Sequence, residues 1–162
     1  MFHTPASRTY GLITIAIVVI LVGIGAFLLI GGTDSARRSA EARNSVRASG
    51  VSALLEAIRK NIATNHDTFT CGTGVYALPS FPAVMKSSYN GIDIAFCIAP
   101  TYIPTLPFDP SIVNAHYSSN TDYDTGYTVS FSSTDDLVTV CAPAALNERA
   151  ISPTPPAICA TR

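Results

Sequence analysis

Proline is absent from Ala6 to Leu78, and no charged side chain occurs between Leu12 and Ile30. The first absence removes the commonest helix breaker and lets helix run from the N-terminal region to about Asn65. The second makes the apolar run LITIAIVVILVGIGAFLLI, where Thr14 is the one polar side chain, a membrane-helix candidate. As a helix it would span about 28 Å, close to the roughly 30 Å hydrocarbon core of a bilayer. A cleaved secretory signal normally has a shorter apolar core, of ~7 to 15 residues, so a retained span is the better reading. No CxxC pair occurs, which removes the usual zinc-ribbon and redox patterns. There are only three histidines, His3, His66 and His116, and no GxSxG elbow. An enzyme of the common nucleophile–histidine type is therefore not indicated, and no cofactor is expected.

Cations are scarce in the second half of the chain. From Thr33 to Asn65 come Arg37, Arg38, Arg43, Arg47, Arg59 and Lys60 against Asp34, Glu41 and Glu56. Beyond His66 the acids Asp67, Asp93, Asp109, Asp122, Asp124, Asp135, Asp136 and Glu148 face Lys86, Arg149 and Arg162 alone. A basic collar thus precedes an acidic head, and an acidic head is a poor partner for nucleic acid, whose phosphates attract cations. Arg37 and Arg38 suit contact with anionic lipid headgroups.

With 162 residues the chain has room for one modest head plus an accessory segment. All four cysteines, Cys71, Cys97, Cys141 and Cys159, lie beyond the apolar run. Two structural disulfides are the simplest reading, and they require an oxidising compartment. Four cysteines allow three connectivities, among which spacing does not choose; the working expectation is Cys71 with Cys97 and Cys141 with Cys159. The second would close a loop holding Pro143, Pro153, Pro155 and Pro156. Arginines after the apolar run, set against Arg8 before it, would by the positive-inside tendency put the head in the cytoplasm; the cysteines argue for the opposite side.

After Gly31 and Gly32 the residues Val51, Leu55, Ile58 and Ile62 recur at helical spacing, widened by Leu54, and form one apolar face. Three stretches have strand character: Ile92 to Ile98, Tyr127 to Phe131 and Leu137 to Cys141. The last two flank a polar turn and form a hairpin. In the first, Ile92, Ile94, Phe96 and Ile98 alternate with Asp93, Ala95 and Cys97, so one face would cover the helix stripe. The Pro-, Ser- and Asn-rich segments Pro79 to Asn90 and Pro100 to Asp124 are expected as loops. The predicted fold class is α+β: a long N-terminal helix, membrane-spanning in its first half, packed on a small antiparallel sheet of three or four strands. The expected organisation is a short cytoplasmic leader over residues 1–9, a transmembrane helix over 10–32, its amphipathic continuation over 33–65, and a β-rich extracytoplasmic head with a C-terminal disulfide loop over 66–162.

In these features the chain resembles a type IV pilin or a type II secretion pseudopilin. The N-terminal likeness lies in Tyr10, the aliphatic pair Leu12 and Ile13 and the long apolar helix, with Gly23 where the family commonly has a helix glycine and Gly31 where many members carry a helix-bending proline. Leu106, Pro107, Phe108, Asp109 and Pro110, followed by Tyr117, are similar to the LPxDP stretch before the sheet of many pilins. Cys141 and Cys159 look like the family's C-terminal disulfide loop. The resemblance implies a pilin-like fold and a single-pass membrane protein whose head lies outside the cytoplasm. It also implies a role as a filament subunit in assembly, adhesion, motility or secretion. Its implied partners are membrane lipid, other copies or other pilin-like subunits through the helix, an assembly ATPase, an inner-membrane platform and a prepilin peptidase. Gly23, Gly25 and Ala26 would let such helices approach closely. Two positions depart from the family pattern. Thr9 stands where the peptidase normally requires glycine, and Thr14 stands where the family places a glutamate that pairs with a neighbour's α-amine. The rival reading is a membrane-anchored binding module that does not polymerise.

Two further groups carry polar or aromatic side chains in a pattern. Asn120, Asp122 and Asp124 alternate, with Asp109 and Asn114 not far off in sequence, so oxygen ligation of Ca²⁺ is conceivable. They lack the glycine and distal glutamate of an EF-hand loop, and Asp and Asn are also the usual turn formers, so a solvated turn is the plainer reading. Tyr117, Tyr123 and Tyr127 would suit an adhesive patch or the core.

Overall fold

The computed structural model describes the backbone of residues 6–149, 151 and 157–162, and the side chains of 18–20, 34–149, 151 and 157–162. The chain forms two compact units, Met1–Ser39 and Ala40–Arg162. Helix α1 is Ala6–Thr64, consistent with a stretch that holds no proline. In the first unit, Val18, Val19 and Ile20 are exposed. Among the described residues no helix is long and apolar enough to cross a membrane. Most side chains of the Leu12 to Ile30 run, on which that expectation falls, lie outside the described residues.

In the second unit the helix stripe is the floor of the core. Val51, Leu54, Leu55, Ala57 and Ile58 are buried in one cluster with Tyr127, Val129, Val138 and Val140. Their spacing of three and four residues keeps them on one helix face, and burying each large aliphatic side chain contributes on the order of 1.5 to 3 kcal/mol. Opposite lies an antiparallel sheet ordered β3-β5-β6-β7, with β4 also paired to β5. The strands are β3 (Ala83–Lys86), β4 (His116–Ser119), β5 (Asp122–Ser132), β6 (Leu137–Ala142) and β7 (Ile158–Thr161). Strand β5 buries Tyr123, Thr125, Tyr127 and Val129, and β6 buries Val138, Val140 and Ala142, the period of two expected when one sheet face is covered. Their hairpin pairs Val129 with Val140 and Ser132 with Leu137. The turn between them ends at Asp136, whose φ of +56° is a left-handed value that Asp tolerates. A separate small hairpin pairs β1 (Thr70–Cys71) with β2 (Gly74–Val75) just after α1.

Cys71 is bonded to Cys97 and Cys141 to Cys159. The second bridge crosses directly between neighbouring strands, because Cys141 is the partner of Cys159 in the β6–β7 register. Pro153, Pro155 and Pro156 of the loop that it closes lie outside the described residues.

Three expectations are corrected. Ile92 to Ile98 is not a strand: Ile92 makes a single bridge to Met85, and Ala95–Ile98 is a short helix, α2. Its burial is helical, with Ile94, Ala95, Cys97 and Ile98 inside and Phe96 out at 59% exposure, so Phe96 does not cover the α1 stripe. The cause lies outside the segment. The Tyr123 hydroxyl accepts the N–H groups of Ile94 and Ala95 at 2.9 and 3.3 Å and so caps the turn, and Cys97 is fixed to Cys71. The supposed loops over 79–90 and 100–124 contain β3, β4 and the start of β5. The sheet therefore has five strands where three or four were expected.

Candidate functional site

Arg47 continues the helix stripe one turn upstream of Val51, so the backbone carries its side chain into the core. It is fully buried. A buried guanidinium is tolerable only when its donors are matched, and here they are. Nε and Nη2 reach the two oxygens of Asp109 at 2.7 and 3.2 Å, and Nη2 also donates to Ser111 Oγ. Nη1 donates to Glu148 Oε1 at 2.5 Å and to Asn44 Oδ1 at 2.7 Å. Arg43, one turn earlier, grips the same Glu148 through Nε and Nη2 at 2.8 and 2.6 Å. Asp109 further accepts the Ser111 N–H at 2.8 Å, while its own N–H donates to Thr125 O. Three elements thus meet on one cation: α1, the Leu106 to Ser111 segment, and Glu148 at the end of the 3-10 helix Pro143–Asn147.

The electrostatics follow from this pairing. Burial pushes Asp109 up, but hydrogen bonds from Arg47 and Ser111 outweigh it and leave the carboxyl below its ordinary value. The Arg43 fork, helped by Arg47, holds Glu148 at about 2 against the opposing effect of burial. Burial would lower Arg47, but its hydrogen bonds to Asp109 and Glu148 prevail and raise it. Permanently ionised groups locked in this way offer no general acid or base for chemistry near neutral pH; what they do is fix α1 on the sheet.

Tyr127 lies against this network. Its hydroxyl is buried and has no hydrogen-bond partner among the described residues, and burial pushes its pKa up to about 12. The ring packs under Gly50, where an added Cβ would come within 3.0 Å of both Cε2 and the hydroxyl. A second polar hub sits near the helix end. Buried Asn61 donates to Thr70 O and Cys97 O at 2.9 and 2.7 Å and accepts the Thr70 N–H, joining α1, β1 and α2 beside the Cys71–Cys97 bridge.

Asn120, Asp122 and Asp124 each have a different hydrogen-bond partner. Asn120 accepts from the Tyr117 hydroxyl at 2.6 Å and donates to Ala99 O, Asp122 faces His116, and Asp124 accepts the Gly126 N–H. Asp109 belongs to Arg47, and Asn114 offers its carbonyl to His116. Among the described residues no three His, Cys, Asp or Glu groups are arranged to hold a metal. His116 has an acceptor at each ring nitrogen, Asn114 O at 2.7 Å and Asp122 Oδ1 at 3.0 Å, and the two raise its pKa. Tyr123 and Tyr127 are core residues, and Tyr117 is half-buried against Tyr123 with ring centroids 6.4 Å apart. Thr9, Tyr10, Thr14, Gly23, Gly25 and Gly31 belong to α1, but their side-chain positions lie outside the described residues. Arg37 and Arg38 are exposed.

The Arg47 hub is hidden in the sequence because Arg47 counts there only as one cation of the basic collar. Its signal was the spacing: Arg47, Val51, Leu54 and Ile58 share one face. No protein-family model, no curated protein and no solved structure matches this chain.

Proposed function

We propose that this chain is a structural subunit, a pilin or minor pseudopilin, of a type IV pilus-like filament or secretion pseudopilus. In this reading the apolar run lies in the membrane before assembly and among other helices afterwards, and the disulfide-bearing unit lies outside the cytoplasm. The observation that carries the proposal is Asp109. It belongs to the Leu-Pro-Phe-Asp-Pro stretch that resembles the family's LPxDP, and it is a buried carboxylate that ties α1 to the sheet, accepting from Arg47 while its own N–H donates to Thr125 O. The two disulfides agree with an oxidising compartment. The groups with strongly displaced protonation do structural work, which favours an assembly part over a catalyst. Leaving lipid forfeits roughly 0.3 to 0.6 kcal/mol per large aliphatic residue, so partner helices must restore an apolar environment and an assembly ATPase must do the work.

The test is the intact mass of the chain in sheared surface fibres. Its presence there, with two disulfides and with or without a shortened N-terminus, supports a filament subunit. A chain confined to the membrane fraction favours the second reading, a membrane-anchored extracytoplasmic binding module that does not polymerise. Thr9 and Thr14, in place of the family's glycine and glutamate, are the specific features on that side.

A further inference from the structure

Between the last turns of α1, the loop after it, the β1–β2 hairpin and the β5–β6 turn opens a cleft of about 340 Å³. Its apolar lining includes Ile62, Phe69, Tyr76, Leu78, Phe131 and Val138, with exposed Ala77 at its edge. Phe69 and Tyr76 meet edge to face, with centroids 6.3 Å apart. Three charged residues also line it, each from a different place in the fold: Arg59 from α1, Asp67 from the loop that follows, and Asp136 from the β5–β6 turn. Among the described residues none of these three side chains makes a hydrogen bond or an ion pair. That contrasts with Arg43, Arg47, Asp109 and Glu148, which the same unit pairs completely.

The volume is at the small end of ligand pockets, which run from roughly 300 to 1,000 Å³, and fits one or two amino-acid side chains. The charges narrow the chemistry. A wholly apolar guest would strip water from three charges and return nothing to them. A fatty acid would satisfy Arg59 but set its carboxylate beside two acids, and a polyphosphate would meet two acids and one cation. A guest with an apolar body, one anion and one cation matches all the groups at once. We propose that this cleft binds a short zwitterionic peptide with apolar side chains, its carboxylate on Arg59, its ammonium between Asp67 and Asp136, and its side chains on Phe69, Tyr76 and Phe131. The proposal is independent of filament assembly: either can fail while the other stands.

The probe is the dipeptide Leu-Phe, titrated into the 162-residue chain in nonionic detergent and followed by calorimetry, with N-acetyl-Leu-Phe-amide as the uncharged control. A ligand of this size should bind saturably with Kd on the order of 10⁻⁴ M, and the control at least about tenfold more weakly. Arg59→Gln and the double variant Asp67→Asn/Asp136→Asn should each weaken Leu-Phe about tenfold while leaving the control unchanged. Ala77→Phe, which places a ring in the cleft mouth, should abolish binding. These positions lie on the surface or at the cleft rim, and an unchanged unfolding midpoint verifies that each variant folds. Absence of saturable binding overturns the proposal. So does equal affinity for the blocked peptide, or indifference to both charge variants, either of which would mean partition into detergent or unspecific apolar contact.

Discussion

Removing Arg47 alone leaves Asp109 and Glu148 buried without their common partner, so the loss exceeds whatever the intact pairs contribute. Arg47→Met should lower stability by about 3 to 5 kcal/mol, read as a fall in the urea midpoint at neutral pH. Tyr127→Phe should behave in the opposite way for a buried polar group. The hydroxyl it removes has no partner, so the change should be within about 1 kcal/mol of neutral. Gly50→Ala normally favours a helix by ~1 kcal/mol, yet here the new methyl group meets the Tyr127 ring and hydroxyl at 3.0 Å. The expected sign is therefore destabilising, and a rise in the midpoint would show that the Tyr127 ring yields. These three positions show why the residue scale was the least legible in sequence. An arginine on an apolar stripe and a glycine in a helix acquire meaning only from what the fold brings opposite them.

At the scale of elements, the Cys141–Cys159 bridge holds edge strand β7 to β6 at a point where the strands already run side by side. Replacing both cysteines with alanine should cost about 2 to 4 kcal/mol, since an 18-residue separation no longer restricts the unfolded chain. Hydrogen exchange should locate the change: the amides of Ala160 and Val140, on paired strands, should lose protection before those of Val129, deeper in the sheet. Equal loss across the sheet would mean that β7 and the sheet centre open together. Legibility follows the same physics. The α1 stripe and the β5–β6 hairpin were readable because their periods of 3.6 and 2 continue long enough to be distinguished, and the hairpin has a polar turn. Ile92 to Ile98 was misread because seven mostly apolar residues satisfy both periods, and the deciding contacts come from Tyr123 and Cys71, distant in sequence. Strands β3 and β4 were hidden among prolines and serines because each is short, has its register interrupted, and takes its pairing from β5.

For the compact unit as a whole, the ion network makes stability a function of acidity, because Arg43 and Arg47 on α1 meet Asp109 and Glu148 from two distant parts of the chain. Glu148 is held at about 2, and Asp109 is also displaced downward, whereas unfolded Glu and Asp titrate near ~4.3 and ~3.9. Between those values the unfolded chain binds protons that the folded chain refuses. The stabilisation is therefore fully present above about pH 5 and is lost as pH falls through the folded values. While both carboxyls titrate, the slope can reach at most about 2.7 kcal/mol per pH unit. His116 works in the other direction: its raised pKa adds stability that is present below ~6.5 and lost as pH rises through the folded value. It lies in the solvent, so its effect should be small and reduced by salt. The urea midpoint of the full chain in nonionic detergent, followed through the near-ultraviolet tyrosine signal, should thus be nearly level from about pH 5 to 8 and fall steeply below pH 4. Glu148→Gln should lower the plateau and reduce the acid slope. Arg47→Met should flatten the slope further, because the carboxyls it leaves unpaired are already inclined to hold protons. A profile equally steep in all three proteins would mean that acid unfolds the unit through general charge repulsion, with the Arg47 network a bystander.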